Sequence, residues 1–300
     1  MTFEPVPEES GFRMDGYWIW CGSVIRVDSI YHMFASRWVK DKMFPENYRQ
    51  NSEIVRAVSG SPLGPYTFQE VVIGERDSSF WDSNMSHNPT IHKIGDEYVL
   101  FYIGSDYSTL LHGTKNLIRR VGYAASKEIT GPWVRSDKPL IDSESNNPAV
   151  LESDDKIILI YRDEKLRVFL TESDSYRGPF KMKNDNVWPY NKIEDFCLFE
   201  FNGQIHMICE DNEGGISGQE RWGVHLFSDN GGLKWFPDKS VVVYNHKLAF
   251  TDNTILNCTR RERPQLLIEN GEITHLVTAI FDGKDSWSQL VKLNKPIKIK

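Results

Sequence analysis

Short runs rich in Val, Ile, Leu, Tyr and Phe recur along this chain in pairs, each pair joined by a turn of Asp, Asn, Gly or Ser. The first pair, Gly22–Val27 and Ile30–Ser36, turns at Asp28-Ser29, and the second, His87–Ile94 and Glu97–Tyr102, at Gly95-Asp96. The third, Asn147–Glu152 and Ile157–Arg162, turns around Asp154-Asp155. The fourth fills Lys192–Asp211 around Asn202-Gly203, and the fifth joins Arg261–Ile268 to Glu272–Val277 through Asn270-Gly271. Two β-rich runs across a two-residue Asx/Gly turn read as a hairpin, because the turn that matches strand twist needs positive φ at its centre.

A third run follows each hairpin, at Ser52–Ser59, Arg120–Ser126, Leu166–Ser173, Trp222–Ser228 and, more faintly, Ser286–Leu293. After the first three comes a Ser-x-x-x-x-Gly-Pro-aromatic turn, ending at Tyr66, Trp133 and Phe180, and a fourth run then leads outward, as in Thr67–Ile73 or Ser240–Tyr244. Five repeats of four antiparallel strands predict an all-β, five-bladed β-propeller, which protects its sheet edges by radial repetition. The inner strands fall near 22–27, 87–94, 147–152, 193–201 and 261–269. An irregular pair of β-sandwiches is the other arrangement that these strands allow. No helix-period segment of useful length interrupts the pattern, and no linker marks a boundary, so residues 1–300 read as one domain.

Composition changes this picture little. Charged residues make up 26% of the chain and the net charge is −7, so there is no basic stripe for a nucleic acid. No apolar run approaches the roughly 20 residues of a membrane helix. The start, MTFEPVPEESGF, lacks the basic and apolar regions of a secretory signal, and Cys21, Cys197, Cys209 and Cys258 show no metal-like spacing. These features predict free thiols and a cytoplasmic location. The 9 Trp exceed ordinary usage and suit sugar stacking as well as packing between sheets.

Candidate chemistry centres on the fourth hairpin, which opens with adjacent carboxylates, Glu194-Asp195, where side chains leave the sheet. On that ground Glu194 is the first candidate for a catalytic acid. Polar insertions after the second strand, at Val39–Asn51, Asp106–Arg119 and Asp211–Arg221, are expected to build a binding face. There is no Gly-x-Ser-x-Gly elbow for a serine nucleophile.

The five hairpins, the repeated Gly-Pro-aromatic turns and a Glu opening the fourth inner strand resemble the five-bladed propeller glycoside hydrolases of family 43 and its relatives, from Trp20 to about Leu293. The resemblance implies hydrolysis of glycosidic bonds, generally with inversion, by an acid, a base and a third carboxylate that tunes the acid. Inversion requires two carboxyls about 6.5–9.5 Å apart. The family's acid falls on Glu194, here followed by Asp195-Phe196 instead of Gly-Pro. Its base position, an Asp-Pro, reads Cys21-Gly22, and its tuning Asp reads Asn147-Pro148. Asp15, the nearest upstream carboxylate, is therefore the expected base, and Asp82, which leads into the second inner strand, the expected helper.

Glu262, flanked by Arg261 and Arg263, suits base or binding work. Expected sugar contacts are Trp18, Trp20, Arg37, His87, Asn88, Asn147, Arg162, Asp195, Glu262 and Arg263. Several arginines near the mouth suit an acidic or sulfated saccharide. Some relatives hold a structural ion in the central channel, which stays open here, although no His/Asp/Glu spacing demands a metal and no cofactor is required. The expected activity is exo-acting hydrolysis of an oligosaccharide. Two alternatives share the fold: a carbohydrate-binding propeller without catalysis, and a phosphorylase or transferase.

Overall fold

A computed structural model describes residues 1–106 and 118–299. The chain runs through five sheets in sequence. The first blade is β1 (Tyr17–Val27), β2 (Ile30–Val39), β3 (Glu53–Ser59) and β4 (Thr67–Ile73), with one helical turn, α1 (Tyr48–Asn51), between β2 and β3. The second is β5 (Met85–Ile94), β6 (Glu97–Ser105), β7 (Arg120–Ser126) and β8 (Val134–Arg135). The third is β9 (Asn146–Ser153), β10 (Lys156–Arg162), β11 (Val168–Ser173) and β12 (Lys181–Asn184). The fourth is β13 (Ile193–Phe201), β14 (Gln204–Asp211), β15 (Trp222–Ser228) and β16 (Phe236–Tyr244). A small pair, β17 (Lys247–Ala249) and β18 (Ile255–Asn257), leads to the fifth, β19 (Arg260–Glu269), β20 (Glu272–Phe281) and β21 (Ser286–Lys298). Every neighbouring pair within a blade is antiparallel, as the repeats predict. Among the described residues no helix is long and apolar enough to cross a membrane.

Burial explains the sequence pattern. Strands β2 and β6 pack on both faces against neighbouring blades and so read as continuous apolar runs, whereas β4, at a blade's outer edge, alternates between exposed and half-buried positions. The fifth blade departs from expectation. Its third strand extends to Lys298, and the outer edge of that strand pairs with the start of the chain: Glu4 N–H donates to Lys292 O at 2.9 Å, and Asn294 N–H to Thr2 O at 3.0 Å. Phe12 exchanges backbone hydrogen bonds with Ser288 at 2.9 and 3.2 Å just before β1 begins. The N-terminal segment thereby ties the last blade to the first, and Phe12 packs with Ile19, Met33, Leu267 and Leu290 in the core between them.

Each inner strand is interrupted at the same place by a β-bulge. Register slips between Trp20 and Ser23, His87 and Thr90, Glu194 and Cys197, and Glu262 and Gln265, and the third blade slips between Ile160 and Arg162, opposite Asn146 to Ala149. The bulged residues Cys21, Asn88, Asn147, Asp195 and Arg263 all adopt left-handed backbone, φ 57°, 55°, 53°, 59° and 55°. Asn and Asp enter this region readily, while Cys and Arg do so only where the surroundings dictate it. A bulge re-aims side chains, and here it does so five times around one axis.

Because Phe12 is fully buried at the seam between the last and first blades, Phe12→Ala should lower the unfolding free energy by about 3–5 kcal/mol in a urea titration. A loss under about 1 kcal/mol would show that the N-terminal segment does not help to close the ring.

Candidate functional site

The five bulged side chains meet at the channel axis and form the floor of a funnel. Cys21 Sγ–H donates to Asn88 Oδ1 at 2.8 Å, Asn88 Nδ2 to Asn147 Oδ1 at 2.8 Å, and Asn147 Nδ2 to Asp195 Oδ1 at 2.6 Å. Arg263 donates to Asp195 through Nη1, at 3.3 Å, and through its backbone N–H, at 3.2 Å, while its guanidinium adjoins the Cys21 thiol and closes the circle. Burial keeps the Cys21 thiol protonated, so it can serve as a donor.

The residue before each bulge, Trp20, His87, Asn146, Glu194 and Glu262, faces the funnel above this floor, a cavity of about 570 Å³. Glu194 accepts from Arg162 Nη2 at 2.6 Å, Asn212 Nδ2 at 2.6 Å and Asn147 Nδ2 at 3.3 Å. His87 Nδ1 pairs with Ser52 Oγ at 2.7 Å, and burial, reinforced by Arg263 and Arg119, lowers its pKa well below the usual imidazole range and keeps it neutral. One wall is aromatic. Phe44, Pro45 and Tyr48 come from the insertion after β2 and join Trp20 and Trp38. The insertion after β14 is gathered by the buried Asp211, which accepts from the backbone of Ile216 at 2.9 Å and Ser217 at 2.7 Å; Asn212 from this insertion bonds Glu194, and Arg221 lines the cavity. Arg119 also lines the cavity, and residues 107–117 of the expected insertion lie outside the described residues.

Carboxylates concentrate on the side of the fourth and fifth blades. Asp195, Glu210 and Glu262 are buried, with one oxygen each within 4.8 Å of the others. Arg221 Nη1 lies 2.7 Å from Glu262 and 3.0 Å from Glu210, and Arg263 pairs with Asp195. Three guanidinium groups, Arg221, Arg263 and, at 3.8 Å from Glu262, Arg260, thus face three carboxyls whose burial favours their protonated forms. Burial, then the proximity of Asp195, push Glu262 up to about 7, against the opposing pull of Arg221 and Arg260. Burial and Glu262 push Glu210 well above the carboxylate range, and burial raises Asp195 against the pull of Arg263. Such hard oxygen donors suit a divalent cation by type. The arginines already occupy them, however, and a cation would have to displace Arg221, so the set does not fit a channel metal.

The structure brings together Trp20, His87, Asn88, Asn147, Arg162, Glu194, Asp195, Glu262 and Arg263, and leaves four expected residues elsewhere. Asp15 sits exposed on the turn before β1 and lines a separate hollow with Glu8, Lys40 and Trp287, so it does not reach the funnel. Asp82 is buried inside the second blade, held by Arg76 and by Tyr102 OH at 2.6 Å. It is seated there with Trp81 because Gly104 and Gly122 leave room, a Cβ on either coming within 2.4 Å of these two side chains. Arg37 pairs with Glu53 at 2.7 Å and lies over Tyr17 and Phe68 in the first blade. Trp18 stands behind the aromatic wall, edge-on to Phe44 at 5.5 Å.

Sequence reasoning passed over Glu210, Arg49, Arg119, Arg221, Arg260, Asn146 and Asn212. A signal for Glu210 existed, since it stands next to the last residue of β14, directly across from Glu194.

No protein-family profile matches the chain, and no curated protein sequence matches it. Solved structures do. A family 117 glycoside hydrolase produced by the marine bacterium Zobellia galactanivorans is 15% identical, with a TM-score of 0.68 over 97% of this chain and 88% of that one. A family 43 β-xylosidase/α-arabinofuranosidase from a compost microbial metagenome, crystallised with xylotriose, is 14% identical, with a TM-score of 0.65 over 100% and 97%. An α-L-arabinofuranosidase from Podospora anserina, in complex with cellotriose, is 12% identical, with a TM-score of 0.66 over 98% and 96%. The chain shares their five-bladed propeller fold.

The raised Glu262 carboxyl links stability to pH. Its ordinary value is 4.5, so between there and about 7 the folded chain holds a proton that the unfolded chain releases. The resulting stabilisation is complete below the unfolded value and is lost as pH rises through about 7. The thermal midpoint should therefore fall by roughly a few degrees between about pH 5 and 8, and Glu262→Gln should flatten that slope. An unchanged slope in the variant would show that Glu262 is not the group responsible.

Proposed function

We propose that this chain is a glycoside hydrolase that takes the end of an oligosaccharide into its funnel. Glu262 acts as proton donor and Glu194 as the carboxylate that activates water. The carrying observation is the buried Glu262 carboxyl, raised to about 7 within the same cavity as an arginine-paired Glu194. A general acid is most effective when its pKa lies near the operating pH. The likeness of fold to hydrolases, two of them seen with xylotriose or cellotriose, supports the reading.

In this scheme Glu262 protonates the glycosidic oxygen as the bond to the anomeric carbon breaks. Water attacks that carbon from the opposite face as Glu194 takes its proton, giving a sugar of inverted configuration and a free hydroxyl on the leaving group. Glu194, expected from the sequence to be the acid, takes the base role because Arg162, Asn147 and Asn212 all donate to it and fix its two oxygens. The closeness of Asp195 and Glu210 to Glu262, within 4.8 Å, is too short for carboxyls on opposite faces of a sugar ring. Burial and Asp195 keep the Glu262 proton in place. The aromatic wall offers a stacking face for the ring. The ring of bulged residues closes the funnel below, which favours entry by a chain end and hence exo action.

Reducing-sugar release from a panel of arabino-, xylo-, galacto- and uronic-acid oligosaccharides tests this. Glu262→Gln and Glu194→Gln should each lower kcat by about 10²–10⁴-fold. Parental kcat/KM should fall as pH rises through about 7, where the acid loses its proton. Near-parental turnover by Glu262→Gln would remove it from the mechanism, and silence across the panel by the folded parent would favour a binding module.

A further inference from the structure

Every blade sends an arginine to the funnel: Arg49, Arg119, Arg162, Arg221 and Arg260, with Arg263 in the floor. Four of the six are matched by carboxylates. Arg119 meets Glu144 at 3.2 Å, and Arg162, Arg221 and Arg263 hold the acids described above. The other two are held less closely. Among the described residues Arg49 has no ion-pair partner, its Nε donating only to the Tyr48 hydroxyl at 3.0 Å. Arg260 comes no nearer than 3.8 Å to Glu262 Oε1, an oxygen that Arg221 already bonds at 2.7 Å.

These two guanidinium groups flank the aromatic wall, with Arg49 5.6 Å from the Tyr48 ring centre and Arg260 5.6 Å from that of Phe44. Both are half-buried, so solvent and ligand reach them. A sugar ring stacked on Phe44 and Tyr48 would carry its ring substituents between two planar cations with free donors. Guanidinium groups bind a carboxylate or sulfate through paired N–H bonds, and a neutral hydroxyl satisfies neither the geometry nor the charge. Glu262, beside Arg260, is driven toward its neutral form by burial, and Glu144 and Glu164, the acids near Arg49, are engaged by Arg119 at 3.2 and 3.4 Å.

We infer that the saccharide bound in this funnel carries an oxyanion substituent, a uronate carboxylate or a sulfate ester, and that Arg49 and Arg260 receive it beside the Phe44 and Tyr48 rings. This names the substrate class of the site and rests on the proposed function only in taking the ligand to be a saccharide.

Titration calorimetry on the full chain tests it without requiring turnover. The probes are galacturonate, glucuronate and galactose 6-sulfate, their neutral counterparts galactose and glucose, and inorganic phosphate, each with the parent and with the Arg49→Gln/Arg260→Gln double variant. At least one acidic sugar should bind about tenfold or more tighter than its neutral counterpart, and the margin should vanish in the double variant while neutral-sugar affinity holds. The inference is overturned by equal affinity for acidic and neutral sugars, by no binding of acidic sugars, or by a preference that survives in the double variant. Phosphate binding tighter than any acidic sugar also overturns it and assigns the arginines to a phosphate co-substrate. Hydrolysis of neutral oligosaccharides without acidic-sugar binding sinks this inference alone, whereas acidic-sugar binding with no hydrolysis on any panel sinks only the hydrolase reading.

Discussion

Five side chains that leave their strands at a left-handed bulge meet on the channel axis, and the site is built on that meeting. The hydrogen bonds from Cys21 to Asn88, Asn88 to Asn147 and Asn147 to Asp195 are each an ordinary contribution of about 1 kcal/mol. Their larger effect is geometric. With the bulged residue fixed at positive φ, the residue before it is turned into the funnel, which is how Trp20, His87, Asn146, Glu194 and Glu262 come to share one cavity from five separate sheets. An uninterrupted strand would alternate its side chains between the two faces of the blade instead.

The second constraint is electrostatic. Burying a carboxylate is costly unless an opposite charge or a proton accompanies it. The cluster of Asp195, Glu210 and Glu262 is given both, arginine partners and protons retained through burial, and burial beside Asp195 is what raises Glu262 to about 7. The same balance argues against a channel cation, since Arg221 and Arg263 occupy the positions a metal would need. Structure and reactivity therefore draw on the same few groups.

The propeller was legible because its hairpins write themselves in two signals, apolar runs and Asx/Gly turns, that do not depend on distant contacts. Glu194 was legible too, from its place at the head of the fourth inner strand. The bulges were not, since the inner strands are buried on both faces there and offer no period-two alternation for an extra residue to disturb. Without them nothing showed that Glu262 and Glu194 occupy equivalent positions on neighbouring blades. The search for partners then turned to acids near in sequence. Asp82 precedes the second inner strand by only a few residues, yet Gly104 leaves room for it to be buried within that blade, and Asp15 stays on an exposed turn. Arg162 and Arg263 were legible on the third and fifth blades, whereas Arg49, Arg119 and Arg221 fall in polar insertions and Arg260 at the start of β19, where an arginine resembles an ordinary surface ion-pair partner until the ring is closed.

The central claim is that Glu262 holds its proton near neutral pH because it is buried beside Asp195. Infrared difference titration of the carboxyl band, comparing the parent with Glu262→Gln, tests this most directly. The account predicts a carboxyl that titrates near 7 in the parent and is missing from the variant. Identical titrations in the two proteins, with no carboxyl above about pH 5 assignable to Glu262, would contradict it.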